Sequence, residues 1–143
     1  MYEEIKKMIE EAGEDIIDFR YGVSEKWIQL AEERLNIRFP ESYKWWLRNY
    51  GGGEIYGEEI YGIYEQDFDT VVGGDIVYMH EINKKHPIYP SNALVIGRGI
   101  DQVFYFNLAI VPEDGEYPIY EFFTGEKYAD NFIEFLKRRI LED

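Results

Sequence analysis

The sequence has 143 residues, a length that suits one domain built around one hydrophobic core, so we predict a single domain over residues 1–143. Hydrophobic residues make up 45% and aromatic residues 17% of the chain, a composition that excludes a disordered or low-complexity protein. With 29 acidic and 15 basic residues, the formal net charge is −14, which disfavours direct binding to nucleic acids and to anionic membranes. Because there is no cysteine, disulfides, thiolate zinc sites and thiol catalysis are excluded.

Three helices are predicted in the first fifty residues. Apolar residues recur at helical spacing over residues 5–12, and Gly13 follows them where a helix would end. A second helix is predicted over residues 25–35, with Ser24 as its N-cap. A third is predicted over residues 40–49, because its first residue is a proline, which suits the first turn of a helix.

The remainder of the chain alternates between strand-like and helical patterns. The β-branched and aromatic residues over 54–64 indicate one bulged strand or a hairpin that turns near Gly57. Apolar spacing favours a helix over 69–85, although the glycines at 73 and 74 would weaken its interior. A last helix is predicted after Asp130, which we take as its N-cap. Three more strands are predicted over residues 93–96, 103–106 and 117–123. The elements together predict an α+β fold, in which a mixed, mostly antiparallel sheet of four to six strands is flanked by four or five helices.

The most specific stretch of sequence surrounds the third predicted helix. Residues 39–53 read FPESYKWWLRNYGGG, and Ile55 and Gly57 follow. IGRGID at residues 96–101 and ADNFIEFL at residues 129–136 fit the same pattern. Over about residues 24–141 the chain resembles the SUKH superfamily of Smi/Knr-like proteins, which includes fungal cell-wall regulators and many bacterial proteins that neutralise polymorphic toxins. The resemblance implies this α+β architecture and a protein-binding role.

The same motif also has a sufficient structural explanation. Tyr43, Trp46 and Tyr50 fall on one stripe of the predicted helix and are expected to pack in the core. The glycines at 51–53 allow the chain to leave a helix and enter a strand. Trp45 points in another direction, so we expect it to be partly buried or to lie at an interface.

Acidic residues are concentrated in two segments. Residues 54–69 and residues 99–126 each carry six acids and no base, and together they account for twelve of the fourteen net negative charges. Tyrosines are interleaved with these acids, and a surface of this composition can supply both contact area and electrostatic steering to a protein partner. The alternative is a solvated acidic surface whose aromatic residues turn into the core. The predicted contact residues are Glu54, Tyr56, Glu58, Glu59, Tyr61, Glu65 and Asp67, with Asp101, Glu113, Asp114 and Glu116 as secondary contacts.

Motifs for catalysis and for cofactor or metal binding are scarce. His80 and His86 are six residues apart, which is not the spacing of a helical zinc pair. The glycine-containing stretch at 97–102 leads into a predicted strand, whereas a dinucleotide-binding loop leads into a helix. We therefore predict no enzyme activity, no cofactor and no metal. An enzyme or small-ligand binder with a pocket near residues 51–53 remains open as a third class.

These patterns favour an immunity protein that binds and neutralises a cognate toxin, the role that the resemblance most often implies. Nuclease domains bind polyanions and are usually basic, so an acidic, tyrosine-rich surface can occupy such a cleft. The alternative is an intracellular regulatory or scaffold protein that binds an endogenous protein partner. The first seven residues contain no uninterrupted apolar stretch, which predicts neither a signal peptide nor a membrane span and hence a cytoplasmic location.

Overall fold

The computed structural model of the protein describes residues 2–110 and 114–142. Over these residues the chain forms five helices and a sheet of seven strands, which confirms the α+β class and exceeds the predicted strand number by one. None of the described helices is long and apolar enough to cross a membrane. The helices are α1 (Tyr2–Ala12), α2 (Glu25–Leu35), α3 (Glu41–Asn49), α4 (Ile76–Asn83) and α5 (Phe132–Leu141). The strands are β1 (Ile17–Phe19), β2 (Gly53–Ile55), β3 (Glu58–Ile60), β4 (Ala93–Arg98), β5 (Val103–Asn107), β6 (Ile119–Glu121) and β7 (Lys127–Ala129).

The seven strands form one antiparallel meander. Their order in the sheet follows the chain from β1 to β7, and every neighbouring pair is antiparallel. The prediction was a mixed, mostly antiparallel sheet, and the pairings of the seven described strands are all antiparallel. A parallel bridge between Gly62 and Asp75 lies outside these strands. Residues 54–64 contain the predicted hairpin, in which Tyr56 and Gly57 join β2 to β3 with φ values of 53° and 76°. Such positive φ values are typical of a tight two-residue hairpin turn.

One face of the sheet is covered by α3 and α5, with α1 packed against α5, and along β4 and β5 the side chains of both faces are buried. Phe104 of β5 packs edge-on against Phe135 of α5, with the ring centroids 5.1 Å apart. Phe106, on the same side of β5, lies 5.7 Å from the ring of Tyr43 in α3 and 6.1 Å from that of Phe132 in α5. Because side chains alternate along a strand, the residues between these positions face away from the α3 and α5 layer.

The motif at residues 39–53 builds the centre of this core. Tyr43 and Trp46 are fully buried, and the Tyr43 hydroxyl donates a 2.7 Å hydrogen bond to a backbone carbonyl just after β3. The glycines that follow α3 bring the chain close to β1. A Cβ atom at Gly53, whose φ is 143°, would lie 2.1 Å from the carbonyl oxygen of Asp18. Only glycine therefore permits this approach of β2 to β1.

Trp45 lies at the edge of the core. It is half-buried, and its ring stacks on that of Tyr2 with centroids 4.5 Å apart and planes 6° from parallel. It also meets Tyr50 edge-on at 5.9 Å. The expectation of partial burial is confirmed, and the stack ties α1 to α3.

The helix predicted over residues 69–85 is shorter in the structure, where α4 covers only Ile76–Asn83. The chain is extended at Asp75, with φ at −79° and ψ at 129°, and forms a parallel bridge with Gly62. The Gly62 N–H donates a 3.0 Å hydrogen bond to the Gly74 carbonyl, and the first residue of α4 donates one of 2.7 Å to the Gly62 carbonyl. The buried carboxylate of Asp75 then caps α4 by accepting two backbone N–H bonds from its first turn. A long-range pairing overrides the local apolar spacing at this helix start.

Other element boundaries also differ from the sequence-based prediction. The sequence pattern does not predict β1 and β7, because three residues are too few to show a period of two. The strand expected over 117–123 is reduced to Ile119–Glu121. Asn131, not Asp130, caps α5, since its side-chain oxygen accepts a backbone N–H of the first turn at 2.9 Å. Ser24 is at the N-cap position of α2 but makes no capping hydrogen bond.

Candidate protein-binding surface

A row of three carboxylates crosses β1, β2 and β3. Asp18 of β1 lies directly opposite Glu54 of β2, which lies directly opposite Glu59 of β3. Phe19, which neighbours Asp18, packs edge-on against Trp46 of α3 at 5.4 Å, so the row points away from the helical core layer. Asp18 and Glu54 are exposed, and Glu59 is half-buried. We refer to Asp18, Glu54 and Glu59 as the acidic row.

The acidic row opposes folding by its own charge. Like charges placed directly opposite each other on neighbouring strands destabilise a sheet. In the described part of the chain, no basic nitrogen lies within 4.0 Å of a carboxylate oxygen of the row. Arg98 of β4 follows in register, opposite Glu59, and ends the row. A local arrangement that costs stability on an accessible face is typical of a functional surface.

An arginine and two tyrosines lie near the acidic row. The Arg20 guanidinium carbon is 3.9 Å from the centroid of the Tyr64 ring, and the same guanidinium donates a 3.0 Å hydrogen bond to the Gly51 carbonyl. The protein itself therefore holds the charge of Arg20 in place. Tyr21, the next residue, is 94% exposed. It is a large accessible aromatic side chain that follows β1 in the chain.

Three of the predicted contact residues have packing roles instead of lying on the acidic row. Glu58 lies on the face of the sheet opposite to the acidic row, where it forms an ion pair with the largely buried Arg139 of α5. The Tyr56 hydroxyl donates a 3.1 Å hydrogen bond to the carbonyl of Ile140, which joins the β2–β3 turn to α5. Tyr61 is only 1% exposed, and burial raises its pKa to about 12.

Two more predicted contact residues lie in the loop between β3 and α4, beside α2. Glu65 is exposed, and its carboxylate accepts a 3.1 Å hydrogen bond from the hydroxyl of Ser24. Asp67 is exposed and accepts the backbone N–H of Asp69 at 2.9 Å. Both carboxylates are accessible and lie beside α2.

The predicted residues of the second acidic segment are spread over the molecule. Asp101 is exposed in the turn between β4 and β5, and Asp114 is exposed before β6. Glu116 is partly buried and caps α3, because its carboxylate accepts hydrogen bonds from the N–H and the hydroxyl of Ser42 at 3.2 and 2.5 Å. Glu113 lies outside the described residues. Asp101 and Asp114 are thus accessible in separate loops, whereas the carboxylate of Glu116 is engaged at the start of α3.

The family of the chain follows from a comparison with known protein families. A family model described as SMI1 / KNR4 family (SUKH-1) matches residues 22–138. This chain belongs to the SMI1/KNR4 family. The match confirms the resemblance that the motif at residues 39–53 indicates. It also places Glu54 and Glu59 within the matched stretch of this SMI1/KNR4-family protein, whereas Asp18 precedes that stretch.

Asp18 is the residue of the acidic row that sequence reasoning missed. It lies between Ile17 and Phe19, an alternation of apolar, charged and apolar residues that would suit a strand facing a core on one side. Three residues carry too weak a signal to be read alone. The pairing of β1 with the predicted hairpin is what joins Asp18 to Glu54.

The glycines that follow α3 in this SMI1/KNR4-family protein are packed against the protein's own chain. A Cβ atom at Gly51 would lie 2.1 Å from the carbonyl oxygen of Tyr21, and one at Gly52 would lie 2.2 Å from a guanidinium nitrogen of Arg20. The Tyr21 carbonyl and the Arg20 guanidinium therefore occupy the space beside residues 51–53. This is where the sequence left a small-ligand pocket as an alternative. Among residues 2–110 and 114–142, no three His, Asp or Glu side chains are grouped so that they could hold a metal ion.

Proposed function

We propose that this SMI1/KNR4-family protein is an immunity protein that binds a cognate protein toxin, a basic nuclease domain, in the cytoplasm and neutralises it without catalysis. The observation that carries the proposal is the acidic row, in which Asp18 and Glu54 are exposed and Glu59 is half-buried, although the mutual repulsion of the three carboxylates costs stability. The family is known to include immunity proteins, which supports a protein as the partner.

A nuclease cleft is complementary to a polyphosphate chain. The acidic row presents carboxylates from three successive strands, whose backbones are spaced by about 4.8 Å. Such an array competes for the basic residues that would otherwise hold phosphates, so a bound immunity protein excludes the nucleic acid. It also steers the approach of a basic partner and accelerates association. Inhibition by this route is stoichiometric.

The other predicted contact residues support this surface in two ways. Exposed carboxylates outside the row extend the negative field that an approaching partner meets, whereas the buried and capping residues hold the turns and helices in place. The first group is Glu65, Asp67, Asp101 and Asp114. The second group is Tyr56, Glu58, Tyr61 and Glu116. Glu113 stays a predicted contact.

The test compares two double variants of the full chain that change the net charge equally. Asp18→Lys with Glu54→Lys reverses two charges of the acidic row, and Glu3→Lys with Glu10→Lys reverses two exposed charges on α1. Each tagged protein is used as bait in a lysate of the source strain, and bound proteins are identified by mass spectrometry. Association rates with the purified partner are then measured by surface plasmon resonance, and inhibition is measured with that partner's own activity.

We expect the wild-type protein and the α1 variant to retain a basic, toxic protein domain and to block its activity. The row variant should associate with it about 100-fold more slowly, within the range that electrostatic steering covers. Circular dichroism would verify that both variants are folded. Equal association rates for the two variants would remove the acidic row from the interface. Capture of an endogenous, non-toxic partner would replace the immunity role with the regulatory or scaffold role.

A further inference from the structure

A shallow groove lies between α2 and the loop that follows β3, and none of its lining residues belongs to the acidic row. Its volume is about 610 Å³, and its floor is formed by Trp27, Leu30 and Phe68. The rings of Trp27 and Phe68 meet edge-on, with centroids 5.6 Å apart and planes at 89°. Leu30 is 36% exposed beside them. The groove therefore offers accessible apolar and aromatic area on an otherwise charged helix.

The accessible charge of the groove is negative. Arg34 also lines it, but its guanidinium donates hydrogen bonds to Glu81 at 3.0 Å and to Asp69 at 2.8 Å, so its charge is already matched. Glu33 and Asp67 line the rim, and within the described residues neither forms an ion pair. The groove thus combines an apolar floor with two available carboxylates.

The loop that forms one wall is ordered by its own hydrogen bonds. The Asp67 carbonyl accepts the backbone N–H groups of Thr70 at 3.0 Å and Val71 at 2.9 Å, so the chain turns tightly after Phe68. On the other side of Phe68, the bond between Glu65 and Ser24 anchors the loop to the start of α2. The groove is therefore preformed, which reduces the entropy lost when it is filled.

We infer that this groove binds an arginine side chain, flanked by apolar residues, on the surface of a protein partner. The aliphatic stem would lie on Leu30, the planar guanidinium would meet the faces and edges of Trp27 and Phe68, and its N–H groups would donate to Asp67 and Glu33. The inference rests on the proposed function, because it needs a protein partner. It deepens that proposal by naming the kind of partner segment that a second contact would bind. It does not require that the partner be a toxin.

The probe is the capped peptide acetyl-Leu-Arg-Leu-Arg-amide, and its matched control replaces both arginines with citrulline, which keeps the shape and removes the charge. Binding to the ¹⁵N-labelled full chain is followed by the Trp27 indole N–H signal and the backbone signals of Leu30 and Phe68. We expect saturable shifts confined to the groove with the arginine peptide and at least tenfold weaker binding of the citrulline peptide.

Two double variants with equal charge changes separate the groove from general attraction to an acidic protein. Asp67→Asn with Glu33→Gln removes the rim carboxylates and should weaken binding at least tenfold. Glu10→Gln with Glu126→Gln removes one exposed carboxylate from α1 and one from the β6–β7 turn and should leave binding within twofold. Equal effects of the two variants, or shifts that spread over the surface and omit Trp27, would overturn the inference.

The outcome is independent of the test of the acidic row. The variant Asp18→Lys with Glu54→Lys should bind the arginine peptide in the groove as the wild type does. If it does so while its partner proves to be non-toxic, only the immunity role fails. If the peptide does not bind in the groove while that variant loses the toxin, the groove inference fails and the proposed function stands.

Discussion

Glu121 illustrates how one buried carboxylate can order two turns of a sheet. Its side chain is 5% exposed and accepts backbone N–H groups from Val103 at 3.0 Å, Phe123 at 3.1 Å and Thr124 at 3.0 Å. Burial alone would raise the pKa of Glu121, but the N–H donors stabilise the ionised form and hold its pKa below the usual value. The start of β5 and the β6–β7 turn therefore depend on the charged carboxylate.

We expect Glu121→Gln to lower the free energy of unfolding by about 1–3 kcal/mol at neutral pH, because the amide group faces N–H donors with a donor of its own. A lowered pKa in the folded state means that the carboxylate stabilises the fold above its unfolded pKa of about 4.3, and that this contribution is lost as the pH falls through the folded-state value. Urea denaturation should show the gap between wild type and variant narrowing in acid. The exposed Glu126→Gln is the control and should leave stability unchanged. A gap that does not depend on pH would contradict this account.

For single residues, the sequence predicts packing better than long-range polar contacts. The burial of Tyr43 and Trp46 follows from their position on one helical stripe, which is a local pattern. The role of Glu116 does not follow from a local pattern, because the Ser42 hydroxyl from which it accepts a hydrogen bond is 74 positions away in the sequence. No local pattern distinguishes a carboxylate that caps a distant helix from one that faces a partner.

At the scale of elements, those whose ends are encoded locally are predicted well. The bounds of α2 match the prediction, and its C-cap, Asn36, adopts the left-handed conformation with φ at 54°, which ends the helix within its own sequence. The start of α4 was not predictable in this way, because the parallel bridge between Gly62 and Asp75 sets it. The strands β1 and β7 likewise exist through pairing with a neighbour and not through their own three residues.

Two glutamates of the β2–β3 hairpin, which point to opposite faces of the sheet, should respond oppositely to the same substitution. Glu54→Gln relieves repulsion between Glu54 and both Asp18 and Glu59, so we expect it to raise the free energy of unfolding by about 0.5 kcal/mol. Glu58→Gln leaves the largely buried Arg139 without its nearest counter-charge, so we expect a loss of about 1–2 kcal/mol. Urea denaturation at low salt measures both changes. A destabilising Glu54→Gln would show that the acidic row carries no electrostatic cost.

At the scale of the whole molecule, the distribution of charge along the chain does not translate directly into a surface. The sequence locates twelve of the fourteen net negative charges in two segments. Side chains alternate between the faces of a strand, so the adjacent residues Glu58 and Glu59 point to opposite sides, one toward Arg139 and one into the acidic row. Strand register, which the sequence does not reveal, therefore decides which acids add to a common field.

Salt should act on folding and on partner binding with opposite signs. A net charge of −14 opposes the compact state through self-repulsion. Raising NaCl from about 20 mM to about 300 mM shortens the Debye length from roughly 20 Å to roughly 6 Å, so the free energy of unfolding should rise. The same screening weakens steering, so the association rate with a basic partner should fall about tenfold over this range. Urea denaturation and surface plasmon resonance at matched salt concentrations measure the two effects.

The variant Asp18→Lys with Glu54→Lys carries less repulsion and less attraction, so both of its salt dependences should be shallower than those of the wild type. An association rate that did not change with salt would show that the partner is not recognised through the field of the acidic row.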